Sequence, residues 1–278
     1  HILKPDVTAP GFNILSGFTP DAANATPGEN FSLISGTSMS TPHVAGVDAL
    51  LREARHEWSP AAIRSALMTT ARQDVAASSG LADANPFDFG AGHIDPNQAL
   101  SPGLVYDVSD DEYDAFACGI ASPAVFAERC EQLVDAGYSL ASADLNQPSI
   151  SVSRLISSRT LTRRVTNVDD EAGAYTVAIS APPGIDIAVS PTSLSLGPGE
   201  SASYNIDITY LSGPLDLWRF GSLTWSGNTA DVYSPIAIKP ASILAPAEIT
   251  TFGGSGSTSI EVTIGYDGGY SPGVHGLN

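Results

Sequence analysis

Apolar residues recur at helical spacing in the first half of the chain and at alternate positions in the second. Val44, Val47, Leu50, Leu51 and Ala54 share one helical face, which predicts a helix over residues 42–55. Pro42 fits its first turn, where a missing N–H breaks no hydrogen bond. A second helix is predicted from Pro60, with Ser59 as N-cap and Ala62, Ile63, Ala66, Leu67 and Met68 along its length. Ser109 followed by Glu112 is a capping-box start, and Tyr113, Phe116 and Ala117 give the third helix its apolar face.

After about residue 147 the period becomes two. Tyr175–Ile179, Ile185–Val189, Leu194–Leu196 and Ser203–Ile208 alternate, with breaks at Pro182-Pro183-Gly184 and Gly197-Pro198-Gly199. Trp218–Trp225 and Val232–Ile238 supply further strands. Short strands at this spacing predict a β-sandwich of immunoglobulin or fibronectin type. Ala241–Asn278 is glycine-rich and holds one clear strand pattern, Ile260–Ile264.

Composition narrows the function. The 278 residues hold 12 Lys plus Arg against 30 Asp plus Glu, a net charge of −18. That excess opposes non-specific nucleic-acid binding, which needs cations to neutralise phosphates. Only Lys4 and Lys239 are lysines, and no basic cluster exists to meet anionic lipid. No apolar run is long enough to cross a membrane. Cys118 and Cys130 are either two buried thiols or a bridge closing a 13-residue loop, worth about 3 kcal/mol and suited to a secreted protein. With no histidine pair nearby they do not make a zinc site.

One segment carries chemistry. Residues 36–46 read Gly-Thr-Ser-Met-Ser-Thr-Pro-His-Val-Ala-Gly, a polar turn running straight into a helix. A serine at that entrance exposes its hydroxyl beside the unpaired N–H groups of the first turn. Those donors and the helix dipole favour a developing oxyanion, as acyl transfer by serine requires. Local chemistry alone leaves two readings of Ser38, a helix cap and a nucleophile.

The whole string resembles the nucleophile motif of the subtilisin-like serine proteases. Lys4–Gly11 is similar to the Lys-Pro-Asp-Val-x-Ala-Pro-Gly segment of that family, and Trp58–Ala71 to the helix closing its catalytic domain. Phe89–Leu100, Pro102–Asp107 and Asp111–Gly119 resemble the larger, plant-type branch. In that branch a fibronectin-III-like domain follows, and residues 147–240 with Arg163–Val168 look like it.

The resemblance implies a fold and an activity. The expected fold is α/β, the C-terminal portion of a parallel-sheet catalytic domain, followed by an all-β fibronectin-III-like sandwich. Expected boundaries are 1–106 for the catalytic portion, 107–142 for a helical connection, 143–240 for the sandwich, and 241–278 for a linker or the start of a truncated β-module. Ser38 is implied as nucleophile, its N–H as one oxyanion donor, and Gly36 and Thr37 as substrate-binding neighbours. No cofactor or metal is implied. The substrate would be a protein or peptide, and the setting secreted.

The triad is incomplete here. The family order is Asp, His, Ser, and the 37 residues before Ser38 hold neither the Asp nor the His motif. The side-chain Asn of the oxyanion hole also lies farther upstream in the family than Asn13, Asn24 or Asn30. His43 matches a helix residue outside the triad, and His93 a structural turn. His1, His56 and His275 match no triad position. Asn24-Ala25-Thr26 is a glycosylation sequon under a eukaryotic secretory route. The expectation is therefore a C-terminal fragment, inactive alone, whose partner is the upstream part of the same catalytic domain. The competing expectation is a non-catalytic interaction or structural module.

Overall fold

The computed structural model describes residues 2–21, 27–76, 84–120, 127–227, 230–245, 257, 259–266 and 268–269. The sequon at 24–26, His1 and His275 lie outside them. The chain opens with an antiparallel hairpin, β1 (Ile14–Gly17) and β2 (Phe31–Ile34). Helices α1 (Thr37–Ala54), α2 (Pro60–Thr69) and α3 (Pro86–Phe89) follow. After β3 (Leu104–Val105) come α4 (Asp110–Ile120) and α5 (Ala127–Asp135).

The predicted caps form. Ser59 Oγ accepts from the Ala62 N–H at 3.0 Å, and Pro60 takes the first position of α2. Ser109 and Glu112 exchange both capping-box bonds, at 2.7 and 3.3 Å. The prediction for α1 needs correction, because it starts at Thr37 and Pro42 lies inside it. Proline there removes one bond, to the Ser38 carbonyl. The first turn holds through Met39 N–H to Gly36 O at 3.0 Å and Thr41 Oγ1 to Thr37 O at 3.0 Å.

The second half is a sandwich. Its strands are β4 (Ile150–Leu155), β5 (Ser158–Asn167), β6 (Gly173–Ser180), β7 (Ile185–Ser190), β8 (Ser193–Leu196), β9 (Ser201–Tyr210), β10 (Arg219–Ser226) and β11 (Asp231–Pro240). One sheet runs β4-β11-β10-β6-β8 and the other β3-β5-β9-β7. Only β4 and β11 pair in parallel within these sheets. Alternation sends Ile185, Ile187 and Val189 of β7 and Tyr204, Ile206 and Ile208 of β9 inward. They meet Leu223, Trp225, Val232, Ile236 and Ile238 from the other sheet. Each such side chain contributes about 1.5–3 kcal/mol when fully buried. Arg163 breaks the pattern at an inward position of β5. It donates to Thr162 O at 3.1 Å and Ala143 O at 2.8 Å, and burial lowers its pKa.

The two halves are joined. β3 pairs antiparallel with β5, Leu104 opposite Asn167 and Val105 opposite Thr166. The Tyr106 hydroxyl lies 2.7 Å from that of Tyr204 and 3.3 Å from Ser234 Oγ. A Cys118–Cys130 disulfide clips α4 to α5, with Cα atoms 5.7 Å apart. In the tail, β12 (Ile243–Leu244) pairs with β13 (Thr263–Ile264), so the strand expected over 260–264 is only its last two residues.

Candidate active site

Ser38 is the second residue of α1 and is exposed. Gly36, before the helix, takes φ 155° and ψ 168° and caps nothing through a side chain. Ser38 does not replace it as a cap. Its Oγ has no hydrogen-bond partner among the described residues, and its N–H is one of the orphan donors of the first turn. The dipole of the 18-residue α1 points its positive end at this spot.

Three segments fix the turn. Gly36 N–H donates to Gly11 O at 2.8 Å, and Ser40 Oγ donates to Ala9 O at 3.0 Å. The strand-like run 6–9 is held in turn by Thr8 N–H to Gly92 O at 2.8 Å, Ile94 N–H to Thr8 O at 3.0 Å and Ala91 N–H to Asp6 O at 2.9 Å. The Thr8–His93 bridge is parallel. Among the described residues of the N-terminal half it is the parallel element. A methyl group on Gly11 would overlap Ser40 Oγ and stand 2.8 Å from Gly36 O. Gly11→Ala is therefore expected to lower stability by about 1–3 kcal/mol in urea unfolding; an unchanged midpoint would show that the turn yields freely.

Gly36 and Thr37 are both exposed beside Ser38. The Gly36 N–H and C=O are already engaged, so its open side faces solvent without a free donor. His43 folds back on its own helix, its Nδ1 donating to Met39 O at 2.8 Å. His93 Nδ1 donates to Ile94 O at 3.0 Å, and exposed His56 lies 3.6 Å from Glu57. No described histidine bonds Ser38. No group of three metal-ligating side chains occurs among the described residues.

Beside this turn the surface is apolar, with Phe12 78% exposed and Leu15, Phe31 and Leu33 64–68% exposed. Leu50, 63% exposed, lies toward the far end of α1. Leu51 alone of α1 is fully buried, while Val44 and Val47 pack partly against the cluster of Trp58, Ile63 and Leu67. The residues alone mark neither the β1–β2 hairpin nor the role of Asp48, whose Oδ1 is buried with no partner among the described residues and whose pKa desolvation raises. Asp48 carried a signal, a lone acid inside the apolar run of α1. Gly11 is marked in sequence only by the Lys4–Gly11 motif, and Ser40 only by the 36–46 string.

Fold and site define a two-part protein, an α/β segment with a serine at a helix mouth joined to an antiparallel sandwich. Residues 1–92 match the model of the subtilase family, and residues 144–238 match a fibronectin type-III domain. The chain is thus similar to the subtilase family over its first third, with a fibronectin-type sandwich following that segment. Arabidopsis thaliana relatives include subtilisin-like protease SBT2.6, 37% identical over 82% of this chain and 30% of its own length. SBT1.7 from the same plant is 41% identical over 86% of this chain and 34% of its own. SBT3.10 is 38% identical over 86% and 32%. The chain thus spans about a third of the length of these relatives.

Proposed function

We propose that this chain carries the nucleophile of a secreted serine endopeptidase that cleaves proteins or peptides through an acyl-enzyme on Ser38. The observation that carries the reading is an exposed hydroxyl and a free N–H on one residue at the mouth of α1. Ser38 Oγ attacks the scissile carbonyl and gives its proton to a histidine base. The carbonyl oxygen takes the negative charge and accepts from the Ser38 N–H. The histidine then protonates the leaving amine, and water releases the acyl group by the reverse path. Gly36 and Thr37 flank the acyl carbon. No cofactor enters this chemistry.

The base, the aspartate that orients it and the second oxyanion donor come from residues outside this chain, in the upstream part of the same catalytic domain. The absence of a histidine bonded to Ser38 among the described residues supports this. So does the apolar surface beside the turn, which needs a cover. The chain alone is then inactive. The disulfide supports a secreted setting. No described helix is long and apolar enough to span a membrane, and the charge of −18 disfavours nucleic acid as a partner.

A fluorophosphonate probe tests this. Labelling is expected in the whole protein and to fall by a factor on the order of 10³ or more in the 278-residue chain alone. Equal labelling of whole protein and Ser38→Ala variant would overturn the assignment, and no labelling of either would leave a non-catalytic module.

A further inference from the structure

One cavity away from Ser38's turn has the makings of a ligand site. It measures about 430 Å³ and lies where α3 meets the outer face of the five-stranded sheet. Phe87, Ser151, Ser153, Arg154, Trp218 and Lys239 form its wall, with Ile2 at its edge. The volume falls within the range of small-molecule pockets.

The sequence pattern explains the wall. Ile150 and Val152 of β4 enter the sandwich core, so the alternate residues Ser151 and Ser153 turn to the opposite face. That face is covered by the N-terminal half, where apolar residues would serve packing better. Ser151 is only 3% exposed, and its Oγ has no hydrogen-bond partner among the described residues. A buried hydroxyl left unpaired costs stability unless something enters to pair it.

Charge points the same way. The chain has 30 acidic residues against 12 basic ones and only two lysines, yet this wall holds Lys239 and Arg154 and, among the described residues, no carboxylate. Arg154 uses one Nη1 bond, to Ala245 O at 3.2 Å, and has further donors to offer. Lys239 Nζ lies 5.5 Å from the Trp218 ring centroid. Asp216 lies off the wall, and its carboxylate is held low chiefly by its bond to Ser242, with Lys239 a lesser cause. Phe87 meets Trp218 edge-on at 4.9 Å and Phe220 at 5.3 Å, making a stiff aromatic corner.

We propose that this cavity binds a small organic carboxylate with an aromatic or apolar body. The carboxylate sits between Arg154 and Lys239, the Ser151 hydroxyl donates to a ligand oxygen, and the ring lies against Phe87 and Trp218. Because the wall draws on both halves of the chain, the ligand also clamps them together.

Saturation-transfer NMR on the whole protein, with phenylacetate as ligand and phenylacetamide as its uncharged match, decides the matter. Phenylacetate is expected to bind saturably and to raise the unfolding temperature. Phenylacetamide is expected to bind at least about tenfold more weakly, and Arg154→Gln and Lys239→Gln each to weaken phenylacetate about tenfold. Arg154 is exposed, so its variant keeps the fold and decides the question if Lys239→Gln does not. Absence of saturable phenylacetate binding would overturn the proposal. So would equal binding of acid and amide, affinity unchanged in Arg154→Gln, or displacement of phenylacetate by an equal concentration of inorganic phosphate.

Discussion

If Ser38 is the nucleophile proposed above, Ser38→Ala in the whole protein lowers kcat by a factor on the order of 10⁴–10⁶, the range measured when triad members are removed from well-studied serine proteases. KM should stay close to its original value, because the hydroxyl acts in bond-making rather than in holding substrate. Stability supplies the sharper half of the experiment. A serine that caps a helix loses about 0.5–2 kcal/mol when replaced by alanine. Ser38 is inside α1, the residue before the helix is Gly36, and Ser38 Oγ bonds nothing among the described residues. Alanine is also the better helix former. The unfolding temperature of Ser38→Ala should therefore stay level or rise slightly while activity disappears. A fall of several degrees with partial activity retained would mean that Ser38 is a structural hydroxyl and that the nucleophile is elsewhere.

How much of this could be read from the residues alone depends on the element. The caps at Ser59 and Ser109 were legible because they are local, each a bond between residues three apart. The strands β7 and β9 were legible because one face of each is core and the other solvent. β5 was obscured by Arg163, a charge at an inward position that is tolerated because backbone carbonyls receive it. β3 was not legible at all. Two residues give no period, and its pairing with β5 lies more than fifty residues away. The start of α1 is not legible, because Pro42 reads as a first-turn residue while the bonds that carry the helix back to Thr37 reach to Gly36 and Ala9. At the site, Ser38 was legible from its motif. The threading of Gly11 beneath it is tertiary, and so is the bare apolar surface around it.

Trp225→Ala is expected to cost about 3–5 kcal/mol, the usual range for emptying a large aromatic site in a core. Trp225 is fully buried on β10 and meets Tyr204 of β9 edge-on at 5.1 Å, so it spans the two sheets. The loss should not stop at the sandwich. Tyr204 bonds Tyr106, which follows β3, and Tyr106 N–H in turn donates to Ser65 Oγ in α2 at 2.9 Å. α2 packs on α1 through Leu67, Ile63 and Leu51. A sandwich that loosens thus removes support from the helix that presents Ser38. If the sandwich braces the catalytic segment, Trp225→Ala in the whole protein lowers the unfolding temperature as a single transition and shortens the half-life of activity at elevated temperature in step. Two separated transitions, with activity lost only in the later one, would show that the halves unfold independently. The β3–β5 pairing and the Tyr106 bonds would then be contacts without consequence for the site, and bracing would be refuted. A single transition is the expected result, because Tyr106 carries hydrogen bonds to both halves from a fully buried position, and such a group cannot be exposed on one side alone without being lost on the other.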